Sequence, residues 1–176
     1  MKWAFWVAAT FLFYTYIGYA LWLKVRCRLC PKPVQRGRCE PKVSVVLVVR
    51  NEEKVLARKL ENLLTLDYPA EQLEIVAVSD GSTDGTAAIL REYASQTRVM
   101  VVLNQLSRGK ASGLNDAMQV ASGEVVVFTD ARQQIEAGAL RVLLGNFADP
   151  RVGAVSGELM LGDPHFGEPS EGLGLY

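Results

Sequence analysis

The sequence is poor in the side chains that most often bind transition metals, since its 176 residues include one histidine and three cysteines. Cys27 and Cys30 have the spacing of a zinc knuckle, but a structural zinc site needs four ligands. Cys39 is the third thiol, and His165 lies far from all of them in sequence. We therefore interpret the cysteines as reduced thiols, with lipidation of one of them as the alternative.

The chain also lacks a net charge, so its charge balance gives no indication that it binds nucleic acid. Basic residues are instead concentrated in residues 24–42, where Glu40 is the single acid. They are Lys24, Arg26, Arg28, Lys32, Arg36, Arg38 and Lys42. A basic segment beside an apolar one is a signal of membrane topology.

The apolar segment is Trp3–Leu23, which contains no charged residue. As a helix it would be roughly 30 Å long, the thickness of a bilayer's hydrocarbon core. We predict a transmembrane anchor at residues 1–24, a basic linker at 25–41 and a folded domain at 42–176, in the cytoplasm with the N-terminus outside. The alternative is a cleaved signal peptide, because residues 18–20 loosely fit a cleavage site, although the apolar segment is long for one.

From residue 42 onward, short β-branched runs alternate with longer helical segments, which is the pattern of an α/β domain with an open, mainly parallel sheet. Strands are predicted at Val43–Val49, Leu73–Ser79, Arg98–Leu103, Glu124–Thr129 and Val152–Ser156. Helices are predicted at Glu52–Leu66, Asp84–Gln96, Lys110–Ala121 and Glu136–Phe147. The strands mostly lack polar alternation, which indicates that both faces of the sheet are covered.

Polar residues follow three of these strands, at 50–52, 80–86 and 130–132. Open α/β sheets bind ligands at the carboxyl ends of their parallel strands. We therefore expect these groups to converge on one crevice, which residues 107–110 after the third strand can join.

Residues 80–85 match four positions of a calcium-binding EF-hand loop, but Arg91 stands where that loop needs a glutamate. A strand rather than a helix precedes them, which also argues against an EF-hand. Capping of the next helix by one of residues 82–84 explains most of the segment. Asp80 lies at the end of the strand, where contact with a ligand is the better interpretation.

Two nucleotide-binding motifs are absent. A P-loop around Lys110 would need a glycine where Asn104 stands and a Ser or Thr where Ala111 stands. The three spaced glycines of the dinucleotide fingerprint are missing from the first strand–helix turn, which disfavours a nicotinamide-dependent oxidoreductase.

Lys110 at a helix start still suits a phosphate, or is a solvated surface lysine. Asp130 can hold a divalent cation against a diphosphate, or is only a turn residue.

Four segments in this order resemble the nucleotide-binding half of family 2 glycosyltransferases, which have the Rossmann-like GT-A fold. They are VVRNEE at 48–53, VSDGSTDGT at 78–86, RGKASGLN at 108–115 and VFTDA at 127–131. The resemblance implies that Asn51 and Glu52 border the nucleotide and that Asp80 recognises the base, usually uracil. It further implies that Lys110 lies near the phosphates, and that Asp130 is the first acid of a DxD motif that acts through Mg²⁺ or Mn²⁺.

The chain departs from this family in two ways. Arg132 replaces the second acid of the DxD motif, so metal ligation would rest on Asp130 and a strict metal requirement is in doubt. The family's catalytic base and acceptor-binding residues are expected beyond Tyr176. The acids Glu158, Asp163, Glu168 and Glu171 match no family motif, and we interpret them as a solvated loop.

The resemblance implies transfer of a sugar, with inversion, from a nucleotide diphosphate donor with UDP as the expected nucleotide. The predicted partners are this donor, the membrane, and a lipid-linked or exported glycan acceptor, with no nucleic acid. We expect this chain alone to be inactive, because the base and acceptor motifs are missing. Two alternatives are a membrane-tethered nucleotide-binding module without transferase activity and a structural single-pass protein.

Overall fold

The computed structural model describes residues 2–158 and divides the chain into two compact units, Met1–Gln35 and Arg36–Tyr176. The first unit contains one helix, Lys2–Leu29, whose 28 residues are long and apolar enough to cross a membrane. Its parts are α1 (Lys2–Phe13), a π-helical turn (Tyr14–Gly18) and α2 (Tyr19–Leu29). The helix ends at Leu29, just before Pro31, because a proline disfavours helical geometry in the residue that precedes it.

The second unit is built on a four-stranded parallel sheet of order β3-β2-β1-β4, which confirms the predicted α/β class. The strands are β1 (Val43–Val49), β2 (Leu73–Asp80), β3 (Val99–Asn104) and β4 (Val125–Thr129). Val49 lies opposite Ser79, and Asp80 lies opposite Asn104. The carboxyl ends of the strands therefore lie along one edge of the sheet.

Helices cover both faces of this sheet. They are α3 (Glu53–Leu64), α4 (Thr86–Tyr93), α5 (Lys110–Val120) and α6 (Ala139–Leu144), with short 3₁₀ turns at Ala70–Gln72 and Gly145–Ala148. The larger core joins alternate residues of β1 and β2 to α3, α4 and α6, and the smaller core packs Val46, Val76 and Val78 against Ala117 of α5. The central strands are buried on both sides as predicted, whereas β3 and β4 are only partly buried.

The predicted strand at Val152–Ser156 is wrong, because residues 152–158 have no regular secondary structure. A β-branched run becomes a strand only when a neighbouring strand pairs with it, and within residues 2–158 none pairs with this segment. The Val152 N–H instead donates to the carbonyl of Asp149 in a turn. Of the four acids at the end of the chain, three lie outside the described residues, namely Asp163, Glu168 and Glu171.

Candidate functional site

A cleft of about 540 Å³ opens at the carboxyl edge of the sheet, within the size range of small-molecule sites. It is lined by Val48, Val49, Arg50, Glu52, Asp80, Gly109, Lys110 and residues 130–133. The structure thus brings Glu52, Asp80, Lys110 and Asp130 together, because β1, β2 and β4 end side by side and α5 begins beside them. The convergence expected from the strand order is confirmed, while the roles of the individual residues stay predictions.

Asn51, the fifth predicted residue, is not among the residues that line this cleft, although Arg50 and Glu52 on either side of it are; it lines a second pocket of about 360 Å³. Its backbone adopts a left-handed conformation with φ 54°, which asparagine tolerates better than most residues. Its side-chain Oδ1 accepts a 2.8 Å hydrogen bond from the Thr83 N–H. Its own N–H donates to Ser82 Oγ at 3.2 Å. Asn51 therefore ties the turn after β1 to the turn after β2.

Asp80 is 3% exposed and holds the loop in front of α5. Its Oδ1 accepts a 2.8 Å hydrogen bond from the Arg108 N–H, and its Oδ2 accepts from Ser107 Oγ at 2.8 Å and the Gly109 N–H at 2.9 Å. These bonds, led by the one from Arg108, lower the pKa of Asp80 although burial opposes the shift. The carboxylate is thus ionised and oriented at the wall of the cleft.

Gly81 makes this close approach of turn and loop possible. Its φ is 61°, and a Cβ built on it would lie 2.3 Å from the Ser107 backbone nitrogen. Any other residue would therefore push the Ser107 loop away from Asp80.

Two exposed ion pairs cross the cleft. Lys110, the first residue of α5, donates from Nζ to Asp130 Oδ1 at 2.5 Å. Arg132 donates to Glu52 Oε1 at 3.0 Å. Exposed ion pairs contribute only about 0–1 kcal/mol to folding stability. An anionic ligand can therefore replace either acid as the partner of its cation.

The structure has an open carboxylate rather than a preformed metal cage. The described residues contain no group of three or more His, Cys, Asp or Glu side chains that could hold a metal ion. Magnesium is commonly held by one or two carboxylates together with substrate phosphates. Asp130, whose side chain is 52% exposed, fits this second kind of site, because its free face can meet a cation that a diphosphate also binds.

Lys59 of α3 was missed by the sequence analysis. It is 1% exposed, and its Nζ donates to Thr129 Oγ1 at 2.8 Å and to the Gln133 carbonyl at 2.5 Å. Burial lowers the pKa of Lys59 to about 8, and the charge of Asp130 opposes that shift. Its spacing from Leu56 and Leu63 places it on the buried stripe of the helix, and this spacing is the signal that could have identified it.

Known proteins are similar to this chain in sequence. The sequence model described as Glycosyl transferase family 2 matches residues 44–172. Over 118 residues, 65% of this chain and 25% of the relative, the sequence is 36% identical to a beta-monoglucosyldiacylglycerol synthase of a Nostoc species. The chain thus spans about a quarter of the length of this curated relative.

Solved structures that are similar to this chain include two complexes with a nucleotide sugar. A mannosyltransferase of Pyrobaculum calidifontis, in complex with GDP-Man and Mn²⁺, has a TM-score of 0.67 and 34% identity over 82% of this chain and 44% of its own. TarS of S. aureus, in complex with UDP-GlcNAc, has a TM-score of 0.52 and 32% identity over 57% of this chain and 29% of its own. With the family match and the parallel sheet, these similarities show that the chain belongs to glycosyltransferase family 2 and has the GT-A fold.

Proposed function

We propose that the second unit is the nucleotide-sugar-binding part of an inverting glycosyltransferase that acts on a lipid-linked or exported glycan. The observation that carries this proposal is the cleft in which Asp80, Lys110 and Asp130 meet. The names of the relatives support it, since one is a glucosyldiacylglycerol synthase and two were solved with a nucleotide sugar.

The donor would bind with its base beside Asp80 and its diphosphate between α5 and the turn after β4. Asp80 is an oriented acceptor for an N–H of the base. Lys110 would leave Asp130, and Arg132 would leave Glu52, to bind phosphate oxygens instead. These oxygens are hydrogen-bond acceptors that carry a higher negative charge. Binding would therefore open both ion pairs and leave the Asp130 carboxylate free.

A divalent cation, when bound, would neutralise the charge that develops on the departing diphosphate. Asp130 is the residue that would hold it from the protein side. Arg132 occupies the position where the family has a second acid, and its guanidinium supplies part of the same neutralisation directly. We therefore propose Mg²⁺ or Mn²⁺ as the cofactor, with weaker dependence on it than two acids would give.

The first prediction concerns Asp130. UDP and GDP are titrated calorimetrically into the full chain in detergent, with Mn²⁺ and with a chelator. We expect Mn²⁺ to strengthen binding of the preferred nucleotide by 1–3 kcal/mol, about 5- to 150-fold, the usual coupling between linked ligands. Asp130→Asn should abolish this gain. Its metal-free affinity should be unchanged or slightly better, because a repulsive charge is removed and Lys110 is released.

Asp67→Asn is the matched control, because it removes an equal charge from an exposed acid that pairs with Arg141 away from the cleft. An equal Mn²⁺ gain in wild type and Asp130→Asn would show that Asp130 is not the metal ligand. Absence of binding by both nucleotides would favour a structural role. Binding without sugar transfer by a chain that also carries the acceptor-binding residues would favour the nucleotide-binding module.

A further inference from the structure

Lys59 is an unusual residue for the interior of a small domain. It lies on the buried face of α3 with 1% of its surface exposed, between the apolar residues Leu56 and Leu63. Removing an ammonium from water costs several kcal/mol, and a well-packed apolar side chain of similar volume is often as good or better for stability. The lysine therefore needs an explanation other than filling the core.

The two acceptors of its amine point to that explanation. Lys59 Nζ donates to Thr129 Oγ1 at 2.8 Å and to the Gln133 carbonyl at 2.5 Å, and these residues bracket Asp130 and Arg132. One buried cation thus closes the turn that follows β4. Lys59 is not among the residues that line the cleft, so it contacts this turn but no ligand there.

A neighbouring residue of α3 holds the next part of the same segment. Asn62 Nδ2 donates to the Ile135 carbonyl at 2.8 Å, and Asn62 Oδ1 accepts from the Ile135 N–H at 2.9 Å. Helix α3 therefore fixes residues 129–135 at two points. Only the contacts that Lys59 makes lie beside Asp130. Replacing Lys59 and replacing Asn62 should therefore affect the orientation of Asp130 to different extents.

Lys59 also differs from Lys110, the other cation near Asp130. Lys110 is 61% exposed, and in the proposed function it leaves Asp130 when the diphosphate binds. This exchange does not involve the hydrogen bonds of Lys59, which are made to Thr129 and Gln133 rather than to the carboxylate. Lys59 can therefore hold the turn in the state in which Asp130 meets a cation.

We propose that Lys59 is a positioning residue that fixes the turn carrying Asp130, so that the carboxylate is already oriented toward a divalent cation bound on the diphosphate. This inference rests on the proposed function, because the role of Asp130 as a metal ligand is part of it. Residues that orient metal ligands typically change metal affinity about 10- to 100-fold when they are replaced. We expect the lower end of this range, because one ligand is affected.

The test uses Lys59→Met, which keeps an unbranched side chain about as long as the alkyl stem of lysine and removes the amine donor. Nucleotide affinity of the full chain in detergent is measured with Mn²⁺ and with a chelator. Lys59→Met should reduce the Mn²⁺ gain about tenfold, or abolish a smaller gain, and should change metal-free affinity less than about twofold. Asn62→Leu, the matched control on the same helix face, should keep the wild-type gain.

The outcomes separate the inference from the proposed function. A full Mn²⁺ gain in Lys59→Met, or an equal loss of affinity with and without Mn²⁺, overturns the inference while the proposed function stands. If wild type binds nucleotide without any Mn²⁺ gain, the metal role of Asp130 fails and the inference fails with it.

A second variant covers the case in which Lys59→Met does not fold. Thr129→Val removes one acceptor of the amine at constant shape, and its Mn²⁺ gain should fall about threefold, since one of two hydrogen bonds is lost. An unchanged gain in folded Thr129→Val would equally overturn the inference.

Discussion

Asp80 combines two roles at the residue scale, because its carboxylate holds the loop before α5 and also lines the cleft. Three hydrogen bonds fix the carboxylate, and Gly81 allows the loop to come close enough to form them. A base that binds here would meet an acceptor whose position is already set. Loss of Asp80 should therefore affect the ligand directly and the loop that leads into Lys110 indirectly.

The second prediction separates these roles. Asp80→Ala should weaken nucleotide binding by about 1–3 kcal/mol, the cost of losing a buried hydrogen bond to the base, with the fold largely retained. Ser107→Ala removes one of the hydrogen bonds that hold the loop and leaves the Asp80 carboxylate in place. This variant should therefore weaken nucleotide binding by less than about 1 kcal/mol. Calorimetric titration and thermal unfolding are measured on the same samples. Wild-type affinity in folded Asp80→Ala would reject base recognition.

Residues at strand ends could be predicted from the sequence, whereas contacts between separate turns could not. Asp80 and Asp130 each follow an apolar run, so the strand pattern alone places both at one edge of the sheet. The contact of Asn51 with Thr83 depends on which turns face each other, and neither residue carries a signal of it in its own segment. The ion pair of Arg132 with Glu52 joins residues 80 positions apart and has the same limitation.

At the scale of elements, continuous apolar runs were sufficient to predict the strands that became the centre of the sheet. Val43–Val49 and its neighbour β2 are buried on both faces, so their composition reflects their surroundings directly. The segment Val152–Ser156 has similar composition but no partner strand within the described part of the chain. Pairing is a property of two segments, which explains why composition alone gave a wrong strand there.

The amino-terminal ends of the strands lie on the side of the sheet away from the cleft. Glu74, near the start of β2, holds them together. Its Oε1 accepts from the Ser122 N–H at 2.6 Å and from the hydroxyl of Ser44 on β1, and its Oε2 accepts from Ser122 Oγ at 2.6 Å. Burial opposes ionisation of Glu74, but the hydrogen bonds from Ser122 and Ser44 outweigh it and lower its pKa. One carboxylate thus joins β1, β2 and the loop that enters β4.

The third prediction is that Glu74→Gln lowers the free energy of unfolding by about 1–3 kcal/mol at pH 7, because an amide satisfies these donors less well than a carboxylate. The pKa of Glu74 is lower in the folded state, so its contribution is full above the ordinary glutamate value of about 4.3 and is lost as the pH falls through the lowered folded value. The difference between wild type and Glu74→Gln should therefore shrink between pH 7 and pH 3.

Denaturant unfolding across this pH series measures the difference. Glu71→Gln is the control, since Glu71 is exposed and its replacement should change stability by less than about 0.5 kcal/mol. Nucleotide affinity at pH 7 should be unchanged in Glu74→Gln, because Glu74 lies near the amino end of β2, whereas the cleft lies at the carboxyl ends of the strands. A constant difference in stability down to pH 3 would contradict the assignment of the effect to the ionised carboxylate.

At the scale of the whole molecule, the chain joins an apolar helix to a domain with the GT-A fold. The helix Lys2–Leu29 is exposed along most of its length, which fits a segment that lies in lipid rather than in a protein core. Lys24, Arg26 and Arg28 lie at its carboxyl end. Basic residues beside a spanning helix favour the cytoplasmic side, where they also meet anionic lipid at about 1 kcal/mol each.

The last prediction is that the N-terminus faces outward and the folded unit lies in the cytoplasm, where nucleotide sugars are made. Reporters fused after Gly157 should show an active cytoplasmic fusion and a silent export-dependent phosphatase. Replacement of Lys24, Arg26 and Arg28 by Gln should raise the phosphatase signal, because the charge bias that retains this end is removed.

Replacement of the exposed Lys54, Arg58 and Arg91 by Gln is the control, because it removes equal charge within the folded unit and should leave both signals unchanged. An active phosphatase in the wild-type fusion would reverse the topology, and loss of mass corresponding to cleavage near Ala20 would identify the helix as a signal peptide instead.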